Sequence, residues 1–465
     1  MRMPARLLPR LLAIAAAVTL SVQQAAAQSI LRDAETEALL QEMSAPLVKA
    51  AGLEKGNVEV IMINDPSINA FVAGGQAVYI HSGLINAATD AGEVQGVIAH
   101  ELGHVTGGHI IRFDEGAKAA TNITILSLLL GLAAAAAGAP DAAMGVLAAG
   151  QQAAMGKFLS FTRTQESSAD AAGAEYLSKA GISGRGSLEF FKKLQNQEFR
   201  YGYSQSDEAG FSRTHPLTGD RIANLRETYE KDPAWTKATD PALQERFTRV
   251  RAKLYGYLAE PAKTLSVYPP TDNSIPAHYA RAYAYHKDAL INKALVETAA
   301  LIAAEPNNPY FLELEGQILL ESGRPGQALP ALRQANRLTG NNPLIATIFG
   351  HALIATEDPA NYPEAERVLK AAVTRDRESP FAWYQLGVVY AAQGDMPRAR
   401  LASAEQQVME RRFPEALQNA QAAFTGLPVG SPDWLRAQDI TMQARAEMDK
   451  NKKKKKKKSE PEGNG

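Results

Sequence analysis

Apolar residues recur at helical spacing early in the chain, where Leu39, Leu40, Met43, Leu47 and Val48 predict an amphipathic helix over about residues 33–51. Val58 to Ile63 reads as a strand ended by Asn64-Asp65-Pro66, and a second extended run, Gln76 to His81, follows Gly74-Gly75 and stops at Ser82-Gly83. Together they predict a small sheet or hairpin-like ribbon beside a helical body. Glu93 to His109 is a helix by pattern, with Val94, Val97, Ile98, Leu102 and Val105 on its apolar face. Residues 122–156 then form two nearly uncharged, alanine-rich stretches split by Gly138-Ala139-Pro140. The first is about 17 residues long, at the lower limit for spanning a bilayer, and alanine adds little to insertion. A helical hairpin that packs on the protein or touches a membrane surface is expected, rather than a true span. Helical patterns resume at about 159–179, 185–197 and 217–229, with a polar, glycine-containing loop before the last of them.

After about residue 245 the pattern becomes periodic. Ala294, Ala328, Ala365 and Ala399 each sit early in a helical run, at intervals of 34, 37 and 34 residues. Gly316, Gly350 and Gly387 repeat with the same 34 and 37 spacing on the preceding helix, and Pro276, Pro309, Pro343 and Pro380 open the units. A period of 34 is that of tetratricopeptide helix pairs, and the longer unit carries its extra residues around Asp358-Pro359-Ala360-Asn361-Tyr362. Past Arg400 the register slips, so an irregular cap is expected there. Such repeats bind extended or helical pieces of other proteins, or serve as a scaffold with no ligand.

Composition narrows the chemistry. The first ten residues carry three arginines and no acid, the apolar run LLAIAAAVTL follows, and Ala25-Ala26-Ala27 offers a small-residue cleavage site before Gln28. Residues 1–27 therefore read as a cleaved secretory signal peptide, which directs the chain to the periplasm or another exported location. There is no cysteine, so disulfides, thiolate ligands and a cysteine nucleophile are excluded, and any metal must rest on His and carboxylates. Without the three leader arginines and the tail from Lys450 onward, 38 basic residues face 48 acidic ones, which argues against nucleic acid as a partner. Lys452 to Lys458 is an unbroken run, expected to stay solvated in a disordered tail over residues 449–465.

His100-Glu101-Leu102-Gly103-His104 lies inside the helix predicted from residue 93. Histidines four apart stand one turn above each other and can share one zinc, while Glu101, offset by about a hundred degrees, can reach a water there as general base. The apolar residues Val97, Ile98 and Val105 bracket the motif, which places it at the edge of a core rather than on a solvated turn. A catalytic zinc takes three protein ligands and an open position. For the third ligand His109 competes with Glu166, which lies on the later helix with Asp170 one turn on. His109 follows Gly107-Gly108 and falls on a different face, so it reads as structural. Spacing alone selects Glu166 only weakly.

The runs NAFVAGGQAVYIHSGLI, IAHELGHVTGGH, the Glu166 to Asp170 helix and SRTHPLTGDRI resemble the gluzincin peptidases that include the CAAX prenyl protease and the heat-shock membrane protease. The motif-level likeness covers residues 69–221. It implies a zinc endopeptidase with one zinc per chain on His100, His104 and Glu166, with Asp170 orienting a ligand from behind. His215 and Arg221 match positions near the family's active site. An imidazole and a guanidinium suit oxyanion stabilisation, and His215 could instead take zinc's fourth position and keep the enzyme latent. Asn69, Ala70 and Phe71 open a segment that resembles the family's substrate-side strand, whose edge can pair with an extended peptide. His81 and Gly107-Gly108 depart from the family's usual pattern.

The expected architecture is mainly α. A zincin-like metallopeptidase domain with a small β-sheet fills residues 28–240, with the apolar hairpin at 122–156, and an α-superhelical tetratricopeptide-repeat domain fills 245–448. A leader before and repeats behind resemble exported members of the family. That implies quality control of unfolded or misassembled outer-membrane proteins, with outer-membrane assembly machinery and a membrane surface as further partners. The competing reading is a chaperone or assembly factor whose peptidase site is latent.

Overall fold

The computed structural model describes residues 29–459 except 55, 75, 137–139, 202–214 and 216–218. The expected leader and most of the polar loop before His215 therefore lie outside the described residues. The chain divides into two compact units, residues 36–251 with the N-terminal segment up to Arg32, and residues 252–465 together with Asp33–Glu35.

The first unit opens with β1 (Ser29–Leu31) and α1 (Ala34–Ala50), then β2 (Glu59–Asn64), β3 (Ala70–Ala73) and β4 (Ala77–His81). The sheet order is β1-β2-β4-β3. The two strands expected to form a ribbon, β2 and β4, pair in parallel, Glu59 with Ala77 through Ile63 with His81. A hairpin is excluded because β3 lies between them in the chain and pairs antiparallel to β4, leaving β3 as a free edge among the described residues. Alternation follows the pleat: Val78 and Ile80 are fully buried, while Tyr79 opposes Phe71 on the other face.

Short α2 (Ser82–Ala87) leads to α3 (Ala91–Thr106), the helix that carries the histidines. Asp90 caps it, accepting from the Gly92 N–H at 2.7 Å, and Glu93 lies in its first turn, favourable to the helix dipole. A one-sided apolar face is expected from the sequence, yet α3 is buried on all sides from Ala91 to His104. Its polar residues are accordingly paired. Lys193 holds Glu93 at 2.7 Å and Gln95 donates to the Met43 carbonyl at 3.3 Å.

Two long helices follow, α4 (His109–Ala136) and α5 (Pro140–Ala180). The second alanine-rich stretch and the helix expected at 159–179 are thus one continuous helix, since nothing between Met155 and Thr164 breaks it. The two pack antiparallel: a Cβ on Gly150 would meet the Ser127 side chain at 2.1 Å, and Gln165 donates to the His109 carbonyl. Ile125, Leu126, Leu128, Leu129 and Leu130 stay exposed on α4. Among the described residues no helix is long and apolar enough to cross a membrane. The unit closes with α6 (Arg185–Tyr201), α7 (Gly219–Glu230) and the start of α8 (Pro241–Leu258).

In the second unit α9 (Pro261–Val267) precedes the helix pairs α10 (Ile275–Lys287) and α11 (Ile291–Ala304), α12 (Pro309–Glu321) and α13 (Pro325–Leu338), α14 (Pro343–Ala355) and α15 (Tyr362–Arg375), α16 (Pro380–Ala392) and α17 (Met396–Met409). Each unit-opening proline sits in the first turn of its helix, preceded by a capping side chain of Ser274, Asn308, Asn342 or Ser379. The recurrent alanines Ala294, Ala328, Ala365 and Ala399 are all buried between helices. The extra residues of the long unit make a single turn, Pro359–Asn361. After α18 (Phe413–Gly426), α19 (Pro432–Ser459) stays helical through the Lys452–Lys458 run, where a disordered tail is expected. Lysine is a good helix former, so the backbone continues the packed helix that precedes it.

Candidate metal centre

The structure brings His100, His104, Glu166 and His215 together, all buried, with one possible ligand atom from each within 4.8 Å of all the others. His104 Nε2 lies 3.1 Å from His100 Nε2, and His215 Nδ1 lies 3.3 Å from His100 Nε2. Glu166 closes the group. Its carboxylate stands 3.1 Å from His215 Nδ1 and 3.4 Å from each of the two helix histidines.

Each of these groups is positioned by local structure. The histidines share one face of α3 because they are four residues apart. Glu166 reaches them because α3 and α5 cross almost without side chains between them. A Cβ on Gly103 would stand 2.6 Å from the Ala169 carbonyl oxygen, and one on Gly173 would stand 3.1 Å from the Ala99 backbone. Behind the ligands, Asp170 Oδ1 lies 2.9 Å from His100 Nδ1, and Arg221 on α7 donates to both Asp170 oxygens at 2.7 and 2.8 Å. Arg221 also reaches Glu166 at 3.1 Å. A carboxylate on a histidine's far nitrogen fixes the ring so that Nε2 faces the centre.

His109, read as structural from the sequence, does more than pack. Its Nδ1 lies 2.9 Å from His104 Nδ1, and its Nε2 is 3.0 Å from Ser168 Oγ. Helical periodicity puts it on another face, but α3 ends at Gly107, and Gly108 at φ +61° turns the chain back. The signal was present in Gly107-Gly108, which breaks the period on which the reading of the face rested.

The electrostatics suit a cation. Burial works to lower the His100 pKa, but Asp170 and Glu166 outweigh it and push it up to about 10. Burial lowers the His104 pKa despite Glu166, with His100 adding to the effect. For Glu166 burial acts to raise the pKa, yet its three histidine neighbours hold it well below the usual carboxylate range. Asp170 is likewise held low by His100 and Arg221 against burial. Glu101 is fully buried, and neither carboxylate oxygen makes a hydrogen bond among the described residues; His215 Nε2 is 3.4 Å from one of them. An unsatisfied buried carboxylate is costly, and one facing a histidine cluster fits a base that works on a metal-held water.

Asn69, Ala70 and Phe71 lie apart from this cluster, at the start of the free edge β3, which packs with β4 against α3. The Asn69 carbonyl accepts from the His81 N–H at 3.0 Å, and the Phe71 ring stacks on Tyr79 at 5.2 Å.

A buried set of three histidines and a glutamate that could hold a metal ion, with a second buried glutamate beside it, fits a metallopeptidase. Peptidase family M48 matches residues 33–229, and a tetratricopeptide-repeat family matches residues 360–416. The chain is 27% identical to the beta-barrel assembly-enhancing protease of Escherichia coli strain K12 over 406 residues, 83% of this chain and 78% of the relative. A putative beta-barrel assembly-enhancing protease of Vibrio cholerae is 30% identical over 62% of this chain and 59% of its own length. The metalloprotease LoiP of Escherichia coli is 31% identical over 38% of this chain and 64% of its own length. The chain is a metalloendopeptidase followed by tetratricopeptide repeats.

Proposed function

We propose that the chain is an exported zinc endopeptidase that cleaves misfolded or stalled outer-membrane proteins, and that it rests in a latent form. The donor distances carry the choice of zinc. In a tetrahedron with bonds of about 2.0–2.1 Å, neighbouring donors stand about 3.3 Å apart. Five of the six separations among His100, His104, Glu166 and His215 run from 3.1 to 3.4 Å, and all four donors lie within 4.8 Å of one another. Two histidines and a glutamate are one of the ligand sets that catalytic zinc takes, and a chain without cysteine offers no thiolate alternative.

In this reading His100, His104 and Glu166 hold the ion, and Asp170 with Arg221 fixes His100 and Glu166. When bound, zinc polarises the scissile carbonyl and lowers the pKa of a water. Glu101 is the general base that would take a proton from the attacking water and return it to the leaving amine. His215 stands where a catalytic site keeps its open position, so its place supports a blocked resting state. With His215 acting as the block, Arg221 is the group left to steady the oxyanion. The free edge at Asn69, Ala70 and Phe71 pairs with an extended polypeptide and leads it past α3, and the repeats bind clients or assembly machinery. The leader pattern supports export to the periplasm, and the names of the relatives support outer-membrane clients. The exposed apolar residues of α4 and α5 support contact with a membrane surface.

One experiment tests this reading. Zinc content and casein cleavage are measured for the mature chain, Glu101→Gln and His215→Ala. Glu101→Gln should keep about one zinc per chain and lose activity by roughly 10²–10⁴-fold. His215→Ala should cleave faster than the parent. Equal cleavage by parent and Glu101→Gln, or a chain that binds no zinc, rejects the peptidase mechanism. A His215→Ala chain no faster than the parent rejects latency.

A further inference from the structure

His81 is the one buried histidine beside the sheet that the metal centre does not use. It ends β4, next to the free edge, and only 3% of it is exposed. Three of its groups touch three successive parts of the segment that leads into β3. Its Nδ1 lies 2.8 Å from Ser67 Oγ and 3.4 Å from Asp65 Oδ1. Its backbone N–H donates to the Asn69 carbonyl at 3.0 Å. Its ring meets the Phe71 ring edge-on at 5.8 Å. Its Nε2 is buried without a hydrogen-bond partner among the described residues.

The rest of the segment is tied to the same place. Ser67 N–H donates to Asp65 Oδ1 at 2.8 Å, and the Asp65 carbonyl accepts from Ser82 Oγ and from the Gly83 N–H, each at 2.9 Å. A Cβ on Gly83 would collide with the Pro66 carbonyl oxygen at 2.1 Å, so the segment lies directly on the turn that follows His81. Burial lowers the His81 pKa and outweighs the opposing pull of Asp65, so the ring is neutral at pH 7. With Nδ1 carrying the proton toward Ser67, the bare Nε2 is the cheaper nitrogen to leave without a partner.

We propose that His81 is a positioning residue for substrate: it fixes the entry of the edge strand β3, and thereby sets how an extended polypeptide pairs with that edge beside the catalytic helix. The proposal rests on the edge-pairing reading given above. A mainly structural histidine could have held the fold through either its backbone or its ring. Here backbone, ring and Nδ1 all converge on the segment from Asp65 to Phe71.

The test uses the full zinc-loaded chain in a background of His215→Ala and a quenched fluorogenic decapeptide from casein, beside the same peptide N-methylated at alternate residues. The variants are His81→Phe, which keeps a ring against Phe71, and Ser67→Ala, which removes only the Nδ1 partner. Each should raise KM roughly fivefold with kcat and zinc content little changed, as expected for loss of about one hydrogen bond's worth of uniform binding. Amides of residues 69–73 should exchange faster with solvent in both. KM unchanged in both variants, or KM and kcat lost together with zinc, overturns the role of His81. If the parent cleaves the N-methylated peptide as well as the plain one, edge pairing itself is wrong. A parent that discriminates while the variants keep its KM sinks only the His81 assignment.

Discussion

Replacing Gly103 by alanine tests the claim that the metal centre is set by how closely two helices approach. The added Cβ would lie 2.6 Å from the Ala169 carbonyl oxygen and 2.8 Å from its Cα. Both are backbone atoms, so no side-chain rotation relieves the contact. Ordinary contact begins near 3.4 Å, so α3 and α5 must separate by roughly 0.8 Å in an interior packed to crystal-like density. Glu166 lies one turn before Ala169 and moves with it. Metal sites tolerate ligand distances off by only about 0.2 Å, so a shift several times larger weakens or breaks the Glu166 ligand. The expected loss of zinc affinity is about 10–100-fold, measured by competition with a chromophoric chelator. Apo stability should change far less: overpacking costs about 1–3 kcal/mol, and the gain in helix propensity offsets about 1 kcal/mol of it. Gly156→Ala on α5, the helix that carries Glu166, is the control, because nothing lies within 4 Å of its Cβ. Parent affinity in Gly103→Ala, or an equal loss in Gly156→Ala, would refute the argument.

In the repeats, a Cβ on Gly350 would stand 2.5 Å from Leu369 Cγ, whereas one on Gly387 comes no nearer than 3.4 Å to any atom, Ala402 Cβ, which is ordinary contact. Thermal unfolding should therefore separate the two: Gly350→Ala should lower the melting temperature, and Gly387→Ala should hold or raise it, since helix propensity adds up to about 1 kcal/mol of stability. Glu313 is buried, its Oε2 makes no hydrogen bond, and burial, reinforced by Asp33 and Glu35 against Lys253, pushes its pKa up to about 8. Because the folded chain then holds a proton that the unfolded chain releases near pH 4.5, this group destabilises progressively as pH rises from about 4.5 to about 8. Urea unfolding should find Glu313→Gln more stable than the parent by on the order of 2–3 kcal/mol at pH 7, with the gap closing toward pH 5; a gap independent of pH rejects the assignment.

The sequence alone determined whatever depends on local spacing. Two histidines four apart on a helix with apolar neighbours define half a metal site wherever that helix is placed, because helical geometry is fixed at 3.6 residues per turn. A 34-residue period with a proline at each start and a small residue at each crossing defines stacked helix pairs in the same way. Glu166 and Asp170, one turn apart, were marked only weakly by spacing, and it is the fold that brings Glu166 beside the two histidines. Contacts set by packing were not legible. The parallel pairing of β2 with β4 depends on where the intervening β3 lies, and a pattern of alternating residues does not carry direction. The burial of α3 on every side follows from glycines at the crossings, which a search for an apolar face passes over. His109 comes back onto His104 only because Gly108 takes a positive φ, and periodicity cannot foresee a break in its own period. His215 lies 49 residues from Glu166 in the chain, yet its Nδ1 stands 3.1 Å from that carboxylate. Only the tertiary fold could place it there, beside the two helix histidines and Glu166.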